Sequence, residues 1–125
     1  MEKIKVFVID DNLAARKMLI RLINSQEDME AVGEGGTLEA SLPLISKLKP
    51  ETLLLEIDQS YGAHIDEIMN TIKNASPVTQ LIACASPDAD VEFIIPAAES
   101  GATDFVKKPY NKGNLFRTIR NAAKR

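Results

Sequence analysis

Ile4-Lys5-Val6-Phe7-Val8-Ile9-Asp10-Asp11-Asn12 is a β-branched, almost wholly apolar run that stops abruptly on two carboxylates and an amide. A run of this kind suits a strand covered on both faces, because a strand with one wet face alternates apolar with polar residues. Asp11 or Asn12 can cap a helix that follows directly. That helix places Ala15, Met18, Leu19, Leu22 and Ile23 at inward spacing and turns Arg16, Lys17 and Arg21 outward. Buried strand, polar turn and amphipathic helix form one unit, and the rest of the chain repeats it.

A short strand at about Met29 to Val32 leads to Gly33-Glu34-Gly35-Gly36, which reads as a turn. It lacks the dinucleotide fingerprint and the lysine of a phosphate-binding loop. Thr37 caps a second helix with Ala40, Leu44, Ile45 and Leu48 inward, and Pro43 is expected to kink it or delay its start. Lys49-Pro50 ends that helix, and Thr52-Leu53-Leu54-Leu55 forms a buried central strand ending at Glu56. Asp58 to His64 reads as a loop, followed by a helix carrying Ile65, Ile68, Met69 and Ile72. Pro77 marks a turn before a strand from Thr79 to Ala85. A helix at about residues 90–100, with Pro96 inside it, closes on Gly101. Thr103 to Lys107 is the last strand, and Gly113 to Ala123 is a helix with Leu115, Phe116 and Ile119 inward. Five strands alternating with five helices predict an α/β fold, a doubly wound five-stranded parallel sheet with right-handed crossovers. The length predicts a single domain over residues 1–125.

Composition narrows the function. At 45% hydrophobic and 26% charged the chain is ordinary globular protein, which excludes fibrous and disordered classes. No apolar run reaches membrane-spanning length, and Met1 to Lys5 lead into a strand without a leader-like stretch, so no membrane contact is expected. Cys84 is the one cysteine and His64 the one histidine, which rules out an internal disulfide and a closed zinc site and points to the cytoplasm. Cys84 reads as a small core residue and His64 as a solvated loop residue. Net charge is −3 with 15 scattered Lys and Arg residues, so direct nucleic-acid binding is not expected.

Ligands of doubly wound sheets gather at the carboxyl ends of the strands, near the switch in strand order. Those ends carry Asp10 and Asp11, Glu56, Ala85 and Ser86, and Lys108. Several carboxylate oxygens in one cleft suit magnesium. The plainer alternative is a fixed ion pair in which Lys108 neutralises Glu56 and Asp11, since crowded carboxylates need raised pKa values or a counter-ion.

Taken in order, Val8-Ile9-Asp10-Asp11-Asn12 with Arg16 beyond it, Lys49-Pro50, Ser100-Gly101-Ala102-Thr103-Asp104-Phe105 and Lys108-Pro109-Tyr110 resemble the receiver domain of two-component response regulators, over essentially the whole chain. The resemblance implies a flavodoxin-like (βα)5 fold, magnesium held by Asp10 and Asp11 with Glu56, phosphoryl contact from Lys108, and a switch aromatic at Phe105. It also implies two departures. Glu56 stands where the family has its phosphoacceptor aspartate, and Ala85 where it has a hydroxyl residue. The loop from Asp58 to His64 lacks the family's Met-Pro and Asp-Gly pattern as well.

One added methylene moves the acceptor oxygen by roughly 1.5 Å, and about 1 Å of misplacement can cost on the order of 10²-fold. Ala85 deletes a charge-assisted hydrogen bond to the phosphoryl group. Weak or absent phosphorylation is therefore expected, in a stand-alone, non-enzymatic domain that signals by protein contact. The partner is expected to be a sensor kinase or downstream target. It would bind the face of the fourth helix, fifth strand and fifth helix, through Glu92, Glu99, Lys107, Lys112, Arg117 and Arg120. Three alternatives stay open: an acceptor working at Glu56 or Asp58, a dimerisation module of a larger kinase or regulator, and Glu56 as a mimic of the phosphorylated aspartate.

Overall fold

Val6, Phe7 and Val8 are fully buried because their strand lies inside the sheet with helices over both faces. The computed structural model describes residues 2–57, 64–87 and 104–124. Within them run β1 (Ile4–Ile9), α1 (Leu13–Asn24), β2 (Met29–Gly35), α2 (Leu38–Leu48), β3 (Thr52–Ile57), α3 (Ile65–Ala75), β4 (Gln80–Ala85), β5 (Asp104–Lys107) and a helix we label α4 (Lys112–Ala123). The five strands are parallel in the order β2-β1-β3-β4-β5, so the chain reverses its direction of winding between β1 and β3. Side chains alternate along each strand and divide the core in two. Phe7, Ile9, Leu53, Leu55 and Leu81 pack beneath α2 and α3, against Ile45, Ile65, Ile68, Met69 and Ile72. Val6, Val8, Leu54, Ile82 and Val106 pack beneath α1 and α4, against Leu19, Ile23, Leu115, Phe116 and Ile119.

The helix starts follow their caps. Asn12 Oδ1 accepts from the Ala15 N–H at 2.9 Å, Thr37 Oγ1 from Ala40 at 3.2 Å, and Asn111 Oδ1 from Asn114 at 2.9 Å. The inward stripes of α1 and α2 are narrower than expected. In α1 only Leu19 and Ile23 are buried, and Met18, about 100° around the helix, borders a groove with Leu22, Pro109 and Tyr110. In α2 the buried stripe is Leu38, Ser41 and Ile45, which leaves Ala40 and Leu44 exposed. Pro43 does not delay the start of α2, which begins at Leu38 and runs through it, with the proline on the exposed side. Lys49 closes α2 in the left-handed region at φ 49°, its N–H bonded to the Ile45 carbonyl at 2.8 Å.

The reading of Gly33-Glu34-Gly35-Gly36 as a turn is corrected, because β2 continues through Gly35. Its register against β1 shifts between Val6 and Phe7, so that Ala31 faces Val6, Gly33 faces Phe7, and Val32 is the extra residue of a bulge. A Cβ at Gly33 would stand 2.5 Å from the Phe7 ring, and one at Gly35 would stand 1.9 Å from Ser41 Oγ. These glycines admit neighbours to the strand rather than end it.

β3 also extends one residue past Glu56, to the buried Ile57, which pairs with Ala85. Cys84 is a buried core residue as expected, and burial pushes its thiol up to about 12. His64 is exposed. Arg120 does not stand free on the outer face. Its Nε and Nη2 donate to the two Asp28 oxygens at 2.8 and 3.0 Å, and Nη2 also to Gln26 Oε1 at 3.0 Å, which clasps α4 to the turn before β2. The helix expected near residues 90–100, with Glu92, Pro96 and Glu99, lies outside the described residues, as do Gly101 and the loop at 58–63. No helix among the described residues is long and apolar enough to cross a membrane.

Because the Phe7 ring is enclosed on all sides, Gly33→Ala overpacks the core and is expected to lower unfolding free energy by about 1–3 kcal/mol. Urea denaturation measures it. An unchanged midpoint would mean that the ring slides aside at no cost.

Candidate functional site

The carboxyl ends of β1, β3, β4 and β5 meet at one rim. Asp10 follows β1 directly and is 2% exposed. Glu56, on β3, is half-buried, and Ala85 at the end of β4 is fully buried. Lys108 follows β5, its N–H donating to the Ala85 carbonyl at 2.9 Å, and the Lys108–Pro109 peptide is cis. Lys108 Nζ donates to Asp10 Oδ2 at 2.7 Å and stands 3.5 Å from Glu56 Oε2. The second contact is an ion pair without hydrogen-bond geometry, for Glu56 Oε2 is buried and has no hydrogen-bond partner.

The ion-pair expectation is thus corrected in one partner. Lys108 binds Asp10, which turns inward from the strand end, whereas Asp11 is exposed. Even so, Asp10, Asp11 and Glu56 each bring a carboxylate oxygen within 4.8 Å of the others. With Ile9, Gly36, Thr37 and Leu55 they line a cavity of about 120 Å³. Phe105, on β5, is 40% exposed, and Ser86 is half-buried.

One group escaped the sequence reading. Arg16, expected outside, folds back with only 16% of its side chain exposed. Its Nη1 donates to the Asp10 carbonyl at 2.7 Å and its Nε to Glu34 Oε1 at 2.9 Å, while Lys17 Nζ donates to Glu34 Oε2 at 2.9 Å. Arg16 belongs to the set of residues that carry the resemblance, but its partner Glu34 was hidden in a segment read as a turn. The Lys17 and Arg16 bonds hold Glu34 below its ordinary carboxylate value.

Charge at the rim is unevenly shared. Burial is the largest influence on Asp10 and would raise its pKa, but the neighbouring Glu56, Lys108 and the Asn12 N–H together outweigh it, and the net shift is downward. Glu56 moves the other way. The neighbouring Asp10 carboxylate and then burial push it up to about 7, against the pull of Lys108. Lys108 is raised, since Asp10 and Glu56 outweigh its own burial. Asp10 is thus the more acidic of the pair and Glu56 the more readily protonated. An all-oxygen donor set with one buried oxygen lacking a partner fits a hard cation such as magnesium.

Residues 6–120 match the response regulator receiver domain family. The chain is 32% identical over 109 residues to a protein-glutamate methylesterase/protein-glutamine glutaminase of Albidiferax ferrireducens, covering 87% of this chain and 29% of that protein. A Pyrococcus horikoshii protein of the same description is 29% identical over 131 residues, covering 98% of this chain and 35% of its own length. The chain therefore spans about a third of these curated relatives. The crystal structure of the response regulator domain of Thermotoga maritima CheB superposes with a TM-score of 0.80 at 26% identity, covering 99% of this chain and 98% of that one. The receiver domain of a NarL regulator from Mycobacterium tuberculosis gives 0.81 at 22% identity, with the same coverage, which extends the likeness of fold. The doubly wound, flavodoxin-like sheet read from the sequence is the fold of these structures.

The raised Glu56 has a consequence for stability. Its pKa is 4.5 ordinarily and about 7 here, so between these values the folded chain binds the extra proton and stability falls as pH rises. Glu56→Gln removes that loss. The variant should exceed the wild type by about 1–3 kcal/mol at about pH 8, with the gap closing toward about pH 4. Thermal unfolding across pH checks this. A gap independent of pH would show that Lys108 already compensates the charge.

Proposed function

The chain belongs to the response regulator receiver domain family of two-component signalling, and from that membership we propose a receiver in which phosphotransfer is weak or absent and protein contact carries the signal. One observation carries the proposal: the rim has a carboxylate at the acceptor position, but its surroundings do not serve an incoming phosphoryl group. A phosphoacceptor attacks phosphorus in line while the bond to the donor's nitrogen breaks, and the transferred oxygens need donors already in place. Glu56 reaches one methylene further than aspartate, and with a pKa near 7 part of it is protonated at neutral pH and unavailable for attack. Ala85 offers no hydroxyl, and Lys108 is committed to Asp10 at 2.7 Å. These features support the assignment of Glu56 as a degenerate acceptor; Ala85 and Lys108 as phosphoryl-contact positions and Phe105 as the switch aromatic are carried over from the family resemblance.

Asp10, Asp11 and Glu56 are the residues that would hold magnesium. Held by them, the ion would supply positive charge to phosphoryl oxygens. Without it, partial protonation of Glu56, whose carboxyl is pushed up to about 7, and the Lys108 ammonium would limit the repulsion. Kinases or effector domains are the partners expected of a receiver, and we assign their contact to the face containing β5 and α4; the helix expected at residues 90–100 lies outside the described residues. Lys107, Lys112 and Arg117 are exposed on β5 and α4 and Phe105 is partly so, while Arg120 is withdrawn into its clasp with Asp28. The proposal covers residues 1–125 as one cytoplasmic receiver domain without enzymatic activity, direct nucleic-acid contact or membrane contact. A homodimer through the same face is its variant.

Intact mass after incubation with magnesium and a small acyl-phosphate donor tests the reading. The wild type should be unchanged, and Glu56→Asp with Ala85→Thr should gain one phosphoryl group, more completely than either substitution alone, because both act on one transition state. A gain on the wild type mapped to Glu56, or to Asp58 outside the described residues, would overturn it.

A further inference from the structure

Asp10 is the most heavily bonded residue of the rim. Its N–H donates to the Gly35 carbonyl at 3.1 Å, its Oδ1 accepts from the Asn12 N–H at 2.9 Å, its Oδ2 from Lys108 Nζ at 2.7 Å, and its carbonyl from Arg16 Nη1 at 2.7 Å. Three of these contacts come from the paired strand, the local turn and the opposing charge. The fourth comes from a helix side chain that is itself fixed elsewhere. We propose that Arg16, seated on the end of β2 by Glu34, is the positioning residue of the acidic rim. It holds the peptide between Asp10 and Asp11, and so sets the direction in which the two carboxylates face.

The guanidinium suits this task because its Nε and Nη1 bond two acceptors in fixed relative orientation, Glu34 Oε1 at 2.9 Å and the Asp10 carbonyl at 2.7 Å. A lysine ammonium carries the same charge without that geometry. Glu34 is held in turn by Lys17, so the trio brings one net positive charge behind three carboxylates. β2 must reach Gly35 for this to work, since Glu34 and the Gly35 carbonyl both lie on its last residues. The segment that reads as a turn is therefore the foundation of the site. Residues that orient metal ligands without touching the metal typically account for about 10–100-fold in affinity.

The inference rests on the reading of Asp10, Asp11 and Glu56 as a magnesium site, and the test separates the two. Magnesium is titrated by amide chemical shifts into the wild type, Arg16→Lys, Arg16→Ala and Glu34→Gln, and amide hydrogen exchange is recorded on each metal-free protein. Both Arg16 variants should lose roughly 10–100-fold in magnesium affinity. Arg16→Lys should keep near-wild-type thermal stability, which a mere staple between α1 and β2 would not combine with lost affinity. Exchange should quicken at residues 10–12 ahead of the rest. Wild-type affinity in Arg16→Lys and Arg16→Ala would overturn the proposal. If the wild type itself binds no magnesium, the metal reading fails and exchange alone decides. Faster exchange confined to residues 10–12 in Arg16→Lys then supports positioning, and unchanged or uniformly faster exchange refutes it.

Discussion

Lys108 meets Asp10 at 2.7 Å across 98 residues of chain and ties the end of the last strand to the end of the first. Asp10 is almost wholly buried, and a charge so placed needs a partner. Breaking a buried pair by removing one side generally costs about 3–5 kcal/mol, because the remaining charge is stranded. The rest of the rim follows from this commitment. With its ammonium turned to Asp10, Lys108 leaves Glu56 at 3.5 Å with a buried oxygen lacking a hydrogen-bond partner, and the Glu56 carboxyl is pushed up to about 7. Lys108 alone does not neutralise three ionised carboxylates, and the net positive charge of Arg16, Lys17 and Glu34 stands behind them.

Much of this was legible in the chain because the signals are local. The unbroken apolar run of β1, the caps at Asn12 and Thr37, and the stripe of Ile65, Ile68, Met69 and Ile72 depend on neighbours within a few residues. The convergence of Asp10, Asp11, Glu56 and Lys108 needed only the parallel topology, which fixes the end of the sheet at which they emerge. The misreadings share a different cause. Gly33 and Gly35 sit in a strand because Phe7 and Ser41 press against it, and neither contact leaves a trace in the local pattern. Arg16 turns inward because Glu34 lies on that hidden part of β2. The preference of Lys108 for Asp10 over Asp11 is a matter of side-chain direction at a strand end, finer than spacing can resolve.

The two positions at which the resemblance implies a departure, Glu56 and Ala85, illustrate how separately fold and chemistry are specified. Ala85 is fully buried and paired with Ile57, so packing at the end of β4 is satisfied without a hydroxyl. Glu56 keeps a carboxylate at the end of β3 and extends it toward Lys108, so the sheet register is untouched. Core burial is a sum over many side chains and tolerates such changes. A phosphoryl site depends on single atoms held to within a fraction of an ångström, and does not.

The mimic reading of Glu56 and the magnesium reading draw on the same oxygen. A mimic of the phosphorylated aspartate must present negative charge to Lys108, and it biases the partner-binding arrangement only by the difference in its interaction with the two states. A proton on Glu56 removes that charge, and its pKa near 7 places protonation within the physiological range. A cation held by Asp10, Asp11 and Glu56 would expel the proton but would also take up the charge it releases. Either way Lys108 remains drawn to Asp10, its closer and more deeply buried partner. On electrostatic grounds, then, a pKa near 7 at Glu56 and the closer hold of Asp10 on Lys108 favour the proposed inactivated acceptor over a permanent signal.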